Sequence, residues 1–261
     1  MSQRRFTRRG LLRTGAAAGL MVATGQALAA QSRGGVLRMA LPADALELVA
    51  RRAAYDCLTE IAAGGELIGE LAESWEPSEG ARAWAIALRR GARFDGDVPV
   101  TAEDVLRSLA GSPLAPAIAG MEAPTAHRVT IHLHAPDPNL PFRLADPALA
   151  VTGPEGEGSG LYRIAAGEEG PTLLLRQPGH YKDGRAGWFD RVELMAVEED
   201  AARAEMLEAG LVDAACRTAE EGLRIAIAAP ATPGRALARP AASDGTLAGD
   251  DGRIAERWWF A

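Results

Sequence analysis

Apolar and polar positions alternate with a period of two in several short stretches of this chain. The run Val36-Leu37-Arg38-Met39-Ala40-Leu41 alternates weakly, and Trp84-Ala85-Ile86-Ala87-Leu88 is more strongly apolar. Val129, Ile131 and Leu133 line one face of a third stretch, with Thr130, His132 and His134 on the other. Each pattern predicts a strand, as do residues 173–175 and 192–197. Helical spacing runs over residues 46–58 and ends near the Gly64-Gly65 turn. A second helix begins at Thr101, whose hydroxyl can cap it while Asp104 returns the bond, and Gly111 and Pro113 stop it. A third covers residues 200–209, with Asp200 as N-cap and Gly210 just beyond its end. Asp95-Gly96 marks a tight turn, and a Pro/Gly-rich stretch at 136–160 joins two blocks of such elements. From 228 to 252 the composition turns to Ala, Pro and Gly, which predicts an extended or poorly ordered tether. The chain then closes on Trp258-Trp259-Phe260, apolar enough to dock on something.

The N-terminus changes the picture, because it belongs to targeting and not to the fold. Thr7-Arg8-Arg9-Gly10-Leu11-Leu12-Arg13 fits the twin-arginine export pattern. A short Ala/Gly-rich apolar stretch follows, then Ala27-Leu28-Ala29 as an A-x-A cleavage box. Residues 1–29 therefore read as a removable signal, which places the mature protein in the periplasm. Cleavage removes five of the 28 basic residues and none of the 35 acidic ones, leaving a net charge of −12. Nucleic acids and anionic membranes need a basic face, so neither is an expected partner.

Candidate chemistry is sparse. His132 and His134 share a strand face, but no third ligand follows at a useful spacing, so a solvated strand face is the favoured reading over a metal pair. Gly156, Gly158 and Gly160 have a phosphate-loop look, yet no lysine follows and a strand does, which makes them a hinge-like turn. Ser159 lacks the frame of a nucleophile elbow. Glu168-Glu169 and Glu198-Glu199-Asp200 read as solvated faces or helix caps. No catalytic constellation and no cofactor site emerge, and the expectation is a protein that is not an enzyme. Cys57 and Cys216 fit either a bridge or two buried thiols, the latter favoured. Trp75 and Trp84 are expected in the core. Tyr55 is expected there too, or at the border of a cleft. Asp44 follows the first strand, where the loops of open α/β lobes line their binding sites.

Ordered motifs along most of the mature chain carry a resemblance. Gly34-Gly35-Val36-Leu37-Arg38 is followed by Tyr55-Asp56-Cys57-Leu58-Thr59-Glu60, Leu71-Ala72-Glu73-Ser74-Trp75-Glu76, Leu88-Arg89-Arg90-Gly91 and Thr101-Ala102-Glu103-Asp104-Val105. Then come Gly158-Ser159-Gly160-Leu161-Tyr162, Tyr181 and Ala209-Gly210-Leu211-Val212-Asp213. In this order they resemble the family 5 extracellular solute-binding proteins of dipeptide, oligopeptide and nickel importers. Two positions depart from the family pattern: no histidine precedes Asp95-Gly96, and Lys182 stands where an aromatic residue follows the tyrosine.

The resemblance implies an α/β fold, a type II periplasmic-binding-protein first lobe with an accessory α+β domain. The lobe is expected at 30–58 and 153–227, the accessory domain at 59–152, and the tether and tail at 228–261. Family members are longer and close a second lobe over the ligand; the interval 214–254 is too short for one, so the closing lobe is expected to be missing. The implied function is the solute-binding component of an ABC importer for peptides or a similar small solute, delivering to an inner-membrane permease, with weak binding. The ligand-contacting candidates are Asp44 and Tyr55. The alternative is a periplasmic interaction protein that keeps the scaffold without holding a ligand alone, and a metal-binding module on the two histidines is a more distant reading.

Overall fold

Leu37, Met39 and Leu41 of β1 (Val36–Leu41) pack into one hydrophobic core, and Ala40 packs into another on the opposite face. Burial on both faces explains why β1 alternates so weakly in sequence. In this computed structural model the described residues are 34–62, 65–165, 170–183, 186–219 and 222–227. The export segment, the Ala/Pro/Gly-rich tether and Trp258-Trp259-Phe260 lie outside them.

β1 sits inside a six-stranded sheet of order β12-β11-β1-β10-β9-β8. Its neighbours are β10 (Arg191–Ala196) and β11 (Ala214–Ala219), both parallel to it, with Leu37 opposite Val192 and Met39 opposite Leu194 and Ala214. β9 (Thr172–Arg176) and β8 (Tyr162–Ala165) add antiparallel strands on one side, and β12 (Gly222–Ile227) on the other. Helix α1 (Ala43–Ala54) covers one face, against β8, β9 and β10. The sequence spacing puts this helix at 46–58. It starts earlier because Pro42 ends the strand as N-cap, and stops earlier because Tyr55 turns extended at φ −129° and ψ 124°.

Between Leu58 and Val151 a second core forms. Its sheet is β4 (Ala72–Ser78), β5 (Ala83–Leu88), β7 (Arg128–Leu133) and β6 (Ile118–Thr125), antiparallel in the spatial order β4-β5-β7-β6. A ribbon of β2 (Thr59–Ile61) and β3 (Leu67–Gly69) lies beside it. Helix α2 (Ala102–Ala110) packs on β6 and β7 through Val105 and Leu109, and a single turn, α3 (Leu140–Arg143), follows. The capping chemistry of α2 is as its sequence predicts. The Asp104 carboxylate accepts from the Thr101 N–H at 2.9 Å and from its hydroxyl at 2.7 Å. Trp84 is buried in this core, and Trp75 is partly buried against it.

Helix α4 (Asp200–Glu208) packs on β11 and β1, on the face away from α1. Its N-cap is Glu199 and not Asp200, which instead occupies the first turn and pairs with Arg203. Cys57 and Cys216 are free thiols, both buried. Among the described residues no helix is long and apolar enough to cross a membrane.

Candidate ligand-binding crevice

β1 and β10 are parallel, so their carboxyl ends, Leu41 and Ala196, share one edge of the sheet. From that edge α1 leaves toward one face and α4 toward the other, so two successive crossovers diverge beside β1. Such a divergence leaves a crevice outside the carboxyl ends of the strands, where open α/β sheets bind ligands. Asp44 lies here, exposed in the first turn of α1, with Oδ1 accepting from the Ala45 N–H at 2.7 Å. Glu198 reaches across from the β10–α4 loop, and its Oε1 accepts from the Ala43 N–H at 3.0 Å. Its negative charge complements the positive end of α1.

The crevice wall is fixed from behind by Arg203, which is 1% exposed. Its Nη1 donates to the carbonyls of Val197 (2.6 Å) and Glu198 (2.7 Å), and its Nε donates to that of Cys216 (2.6 Å). Its Nη2 pairs with Asp200 at 2.7 Å. One guanidinium thus ties the end of β10, the start of α4 and β11 together, using the fork geometry that suits arginine to such sites. At the lead-in to β11, Arg38 of β1 holds Asp213 through two bonds of 3.1 Å.

Tyr55 stands apart from this edge. It lies eleven residues after Asp44, roughly 16 Å along α1 at 1.5 Å per residue. Its hydroxyl donates to the Gly156 carbonyl at 3.3 Å, and the Arg51 guanidinium lies 5.5 Å over its ring. With Arg51, Arg52, Cys57, Glu60 and Glu70 it lines a narrow recess. The two residues named from sequence are therefore not brought together, and only Asp44 lies at this edge of the sheet.

Behind that recess is a charged cluster that sequence reading missed. Lys182 Nζ donates to Asp56 Oδ1 at 2.9 Å, pairs with Glu70, and lies 3.8 Å from Glu60. The Tyr181 hydroxyl donates to the other Asp56 oxygen at 2.7 Å, and His180 Nε2 is 3.6 Å from it. Glu70 Oε2 accepts the Cys57 N–H at 2.5 Å. Burial works against the charged form of Asp56, but Lys182, His180 and Tyr181 outweigh it and hold the carboxyl below the usual carboxylate range. Burial likewise opposes the Lys182 charge, and the three carboxylates outweigh it and raise its pKa. Glu70 goes the other way: burial pushes it well above its usual value, Lys182 opposes this, and Asp56 and Glu60 add to it. One ammonium does not neutralise three buried carboxylates, so the cluster as a whole holds protons more tightly than free carboxylates do. The cluster joins the start of the second core to the loop that follows β9.

Comparisons with known proteins agree with this architecture. Residues 66–236 match the family model described as bacterial extracellular solute-binding proteins, family 5 Middle. A relative from Escherichia coli K12, the probable D,D-dipeptide-binding periplasmic protein DdpA, is 27% identical over 172 residues, 56% of this chain and 33% of that protein. The chain thus spans about a third of that relative's length. Among solved structures, AgaA from A. tumefaciens R10 in complex with agropinic acid aligns with a TM-score of 0.64 at 23% identity, over 70% of this chain and 44% of that one. DppA from Helicobacter pylori in complex with the peptide STSA gives 0.64 at 20% identity, covering 73% and 48%. AppA from Bacillus subtilis in complex with a nonapeptide gives 0.64 at 18%, covering 73% and 45%. The fold is that of a periplasmic binding protein, and the chain belongs to the family 5 bacterial extracellular solute-binding proteins.

Proposed function

We propose that this chain is the solute-capturing component of an ABC importer in the periplasm, taking a small peptide or similar solute and handing it to an inner-membrane permease. The observation that carries the reading is the carboxyl edge of β1 and β10, from which α1 and α4 diverge, with Asp44 exposed on it and Arg203 tying β10, α4 and β11 together behind it. Asp44 is the proposed ligand contact, suited to a peptide's ammonium. The names of relatives that bind a dipeptide, the peptide STSA or a nonapeptide support the solute class.

The described residues build one wall of a cleft, and this sets the expected affinity. A peptide carries two charged termini, and each needs a partner when it leaves water. Against an open wall the ligand stays hydrated, so each charged contact contributes only a fraction of its buried worth. Calorimetric titration of the purified chain with di- and tripeptides is expected to give dissociation constants no tighter than roughly 100 μM. A low-micromolar constant that Asp44→Asn leaves unchanged would refute both the one-wall reading and the assignment of Asp44.

Export is proposed to follow the twin-arginine route. Replacing Arg8 and Arg9 with lysine should leave precursor in the cytoplasm, and unchanged periplasmic protein would remove that assignment.

A further inference from the structure

The opposite edge of the same sheet holds a second concavity. β9 runs antiparallel to β10 with Leu175 opposite Arg191, and Arg191 lies opposite Val36 at the start of β1. Arg176 and the turn at 177–180 therefore sit at the amino-terminal edge of the parallel strands, far from Asp44. They face the turn at 93–97 across a space of about 460 Å³, a volume within the range of small-molecule sites.

Its walls are held by bonds of their own. Arg93 Nη1 donates to the Asp97 carbonyl at 2.8 Å, and its Nε pairs with the Asp97 carboxylate at 3.3 Å. Arg176 pairs with Asp183, and Gln177 Nε2 donates to the Gly160 carbonyl at 2.9 Å. His180 Nδ1 accepts from the Lys182 N–H at 3.1 Å while Nε2 lies 2.8 Å from the Ser159 carbonyl, which assigns the ring proton to Nε2. Phe94, buried, supplies apolar lining.

Two lining charges are left over after these pairs. Arg163, exposed on β8, has no ion-pair partner among the described residues. Asp95 accepts from the Gly96 N–H at 3.0 Å and has no cation paired with it among the described residues. Arg176 stands opposite Tyr162 in the ladder, next to the Arg163–Leu175 pair, and is committed to Asp183. Among the described residues, one charge of each sign lining this near-neutral space is left without an ion pair. A simple anion meets Asp95 there, and a simple cation meets Arg163. A molecule carrying both charges satisfies both.

We infer that this concavity is a binding site for a zwitterion of amino-acid size, its carboxylate on Arg163 and its ammonium on Asp95. The site is separate from the crevice at Asp44 and stands without it. The test is a binding titration of the purified chain, followed by nuclear magnetic resonance, with glycine, γ-aminobutyrate, acetate and methylammonium. The two zwitterions should saturate in the millimolar range, and both Arg163→Gln and Asp95→Asn should weaken them by about threefold to fivefold, the scale of an exposed ion pair. Asp44→Asn should leave them unchanged, and acetate and methylammonium should bind more weakly than either zwitterion. Both side chains lie at the surface, so the variants keep the fold, which their far-ultraviolet spectra check. Acetate binding as tightly as glycine would overturn the inference. So would variants that bind the zwitterions unchanged, or no saturation below about 100 mM.

Discussion

Replacing Lys182 with methionine is expected to cost about 3–5 kcal/mol of stability, the usual penalty for removing one partner of a buried charged group. Lys182 is 3% exposed, Asp56 is fully buried, and Glu70 is almost as deeply buried as the lysine. Without the ammonium, Asp56 loses its nearest cation, and the Tyr181 hydroxyl and the His180 ring at 3.6 Å are left to hold it. The methionine fills a similar volume, so the loss is electrostatic and not a cavity. Thermal unfolding should show a midpoint lower by about 10 °C for a domain of this size. Adding Asp56→Asn, Glu60→Gln and Glu70→Gln should recover much of the loss, because neutral amides leave none of the three carboxylates charged without its cation. A single Lys182→Met variant within about 1 kcal/mol of the parent would mean that the cluster is solvated.

The same cluster sets a pH dependence with a definite sign. Glu70 has a folded-state pKa well above its ordinary value of 4.5, so between those two values the folded state binds the extra proton. Stability therefore falls as pH rises through that window, by up to about 1.4 kcal/mol per unit. Asp56, with its pKa depressed, contributes stability that is present above its ordinary value of 3.8 and is lost as pH falls below it. The parent should thus be most stable on the mildly acidic side. In Glu70→Gln the decline above pH 4.5 should flatten.

Gly160→Ala is the second large effect. A Cβ built there lies 2.4 Å from the Ala54 carbonyl carbon and 2.5 Å from the Ala53 oxygen, both backbone atoms in the last turn of α1. Gly160 is also bonded there, its N–H donating to the Ala54 carbonyl at 2.9 Å. Neither side can yield without moving the helix end off the strand lead-in, so the expected loss is about 3 kcal/mol, at the upper end of overpacking. Gly158 meets the same wall, 1.9 Å from the Ala54 oxygen. This close approach, and not a phosphate cradle, explains Gly158 and Gly160, while Gly156 takes a positive φ of 92°. Gly120→Ala in β6, with nothing within 4 Å, is the matched control and should change little. Equal stability of the two alanine variants would contradict the packing of α1 against this loop.

The elements read correctly from sequence are those whose local chemistry is sufficient by itself. Thr101 and Asp104 cap α2 within one turn, and Val129, Ile131 and Leu133 declare the buried face of β7. β6 stayed hidden because Gly120 and Pro124 interrupt its pattern and its register shifts twice against β7. α4 carries a buried arginine on its inner face, and charge at a helical position reads as solvent-facing. The pair Asp200 and Arg203, three residues apart, was the one local signal for it. The lysine cluster joins positions 112 and 126 residues apart, beyond any periodicity, and Lys182 stood out only as a departure from the family pattern. The place of Asp44 at this edge follows from the end of a parallel strand, whereas the place of Tyr55 depends on where α1 stops.

The central claim is that the carboxyl edge of β1 and β10 forms the solute wall, and residue-resolved nuclear magnetic resonance tests it most directly. Titrating the labelled chain with a dipeptide to several millimolar should shift the amides of Ala43, Asp44, Glu198 and Glu199, with little change around Tyr55. Shifts confined to the Tyr55 recess, or none at this edge at saturating peptide, would contradict it.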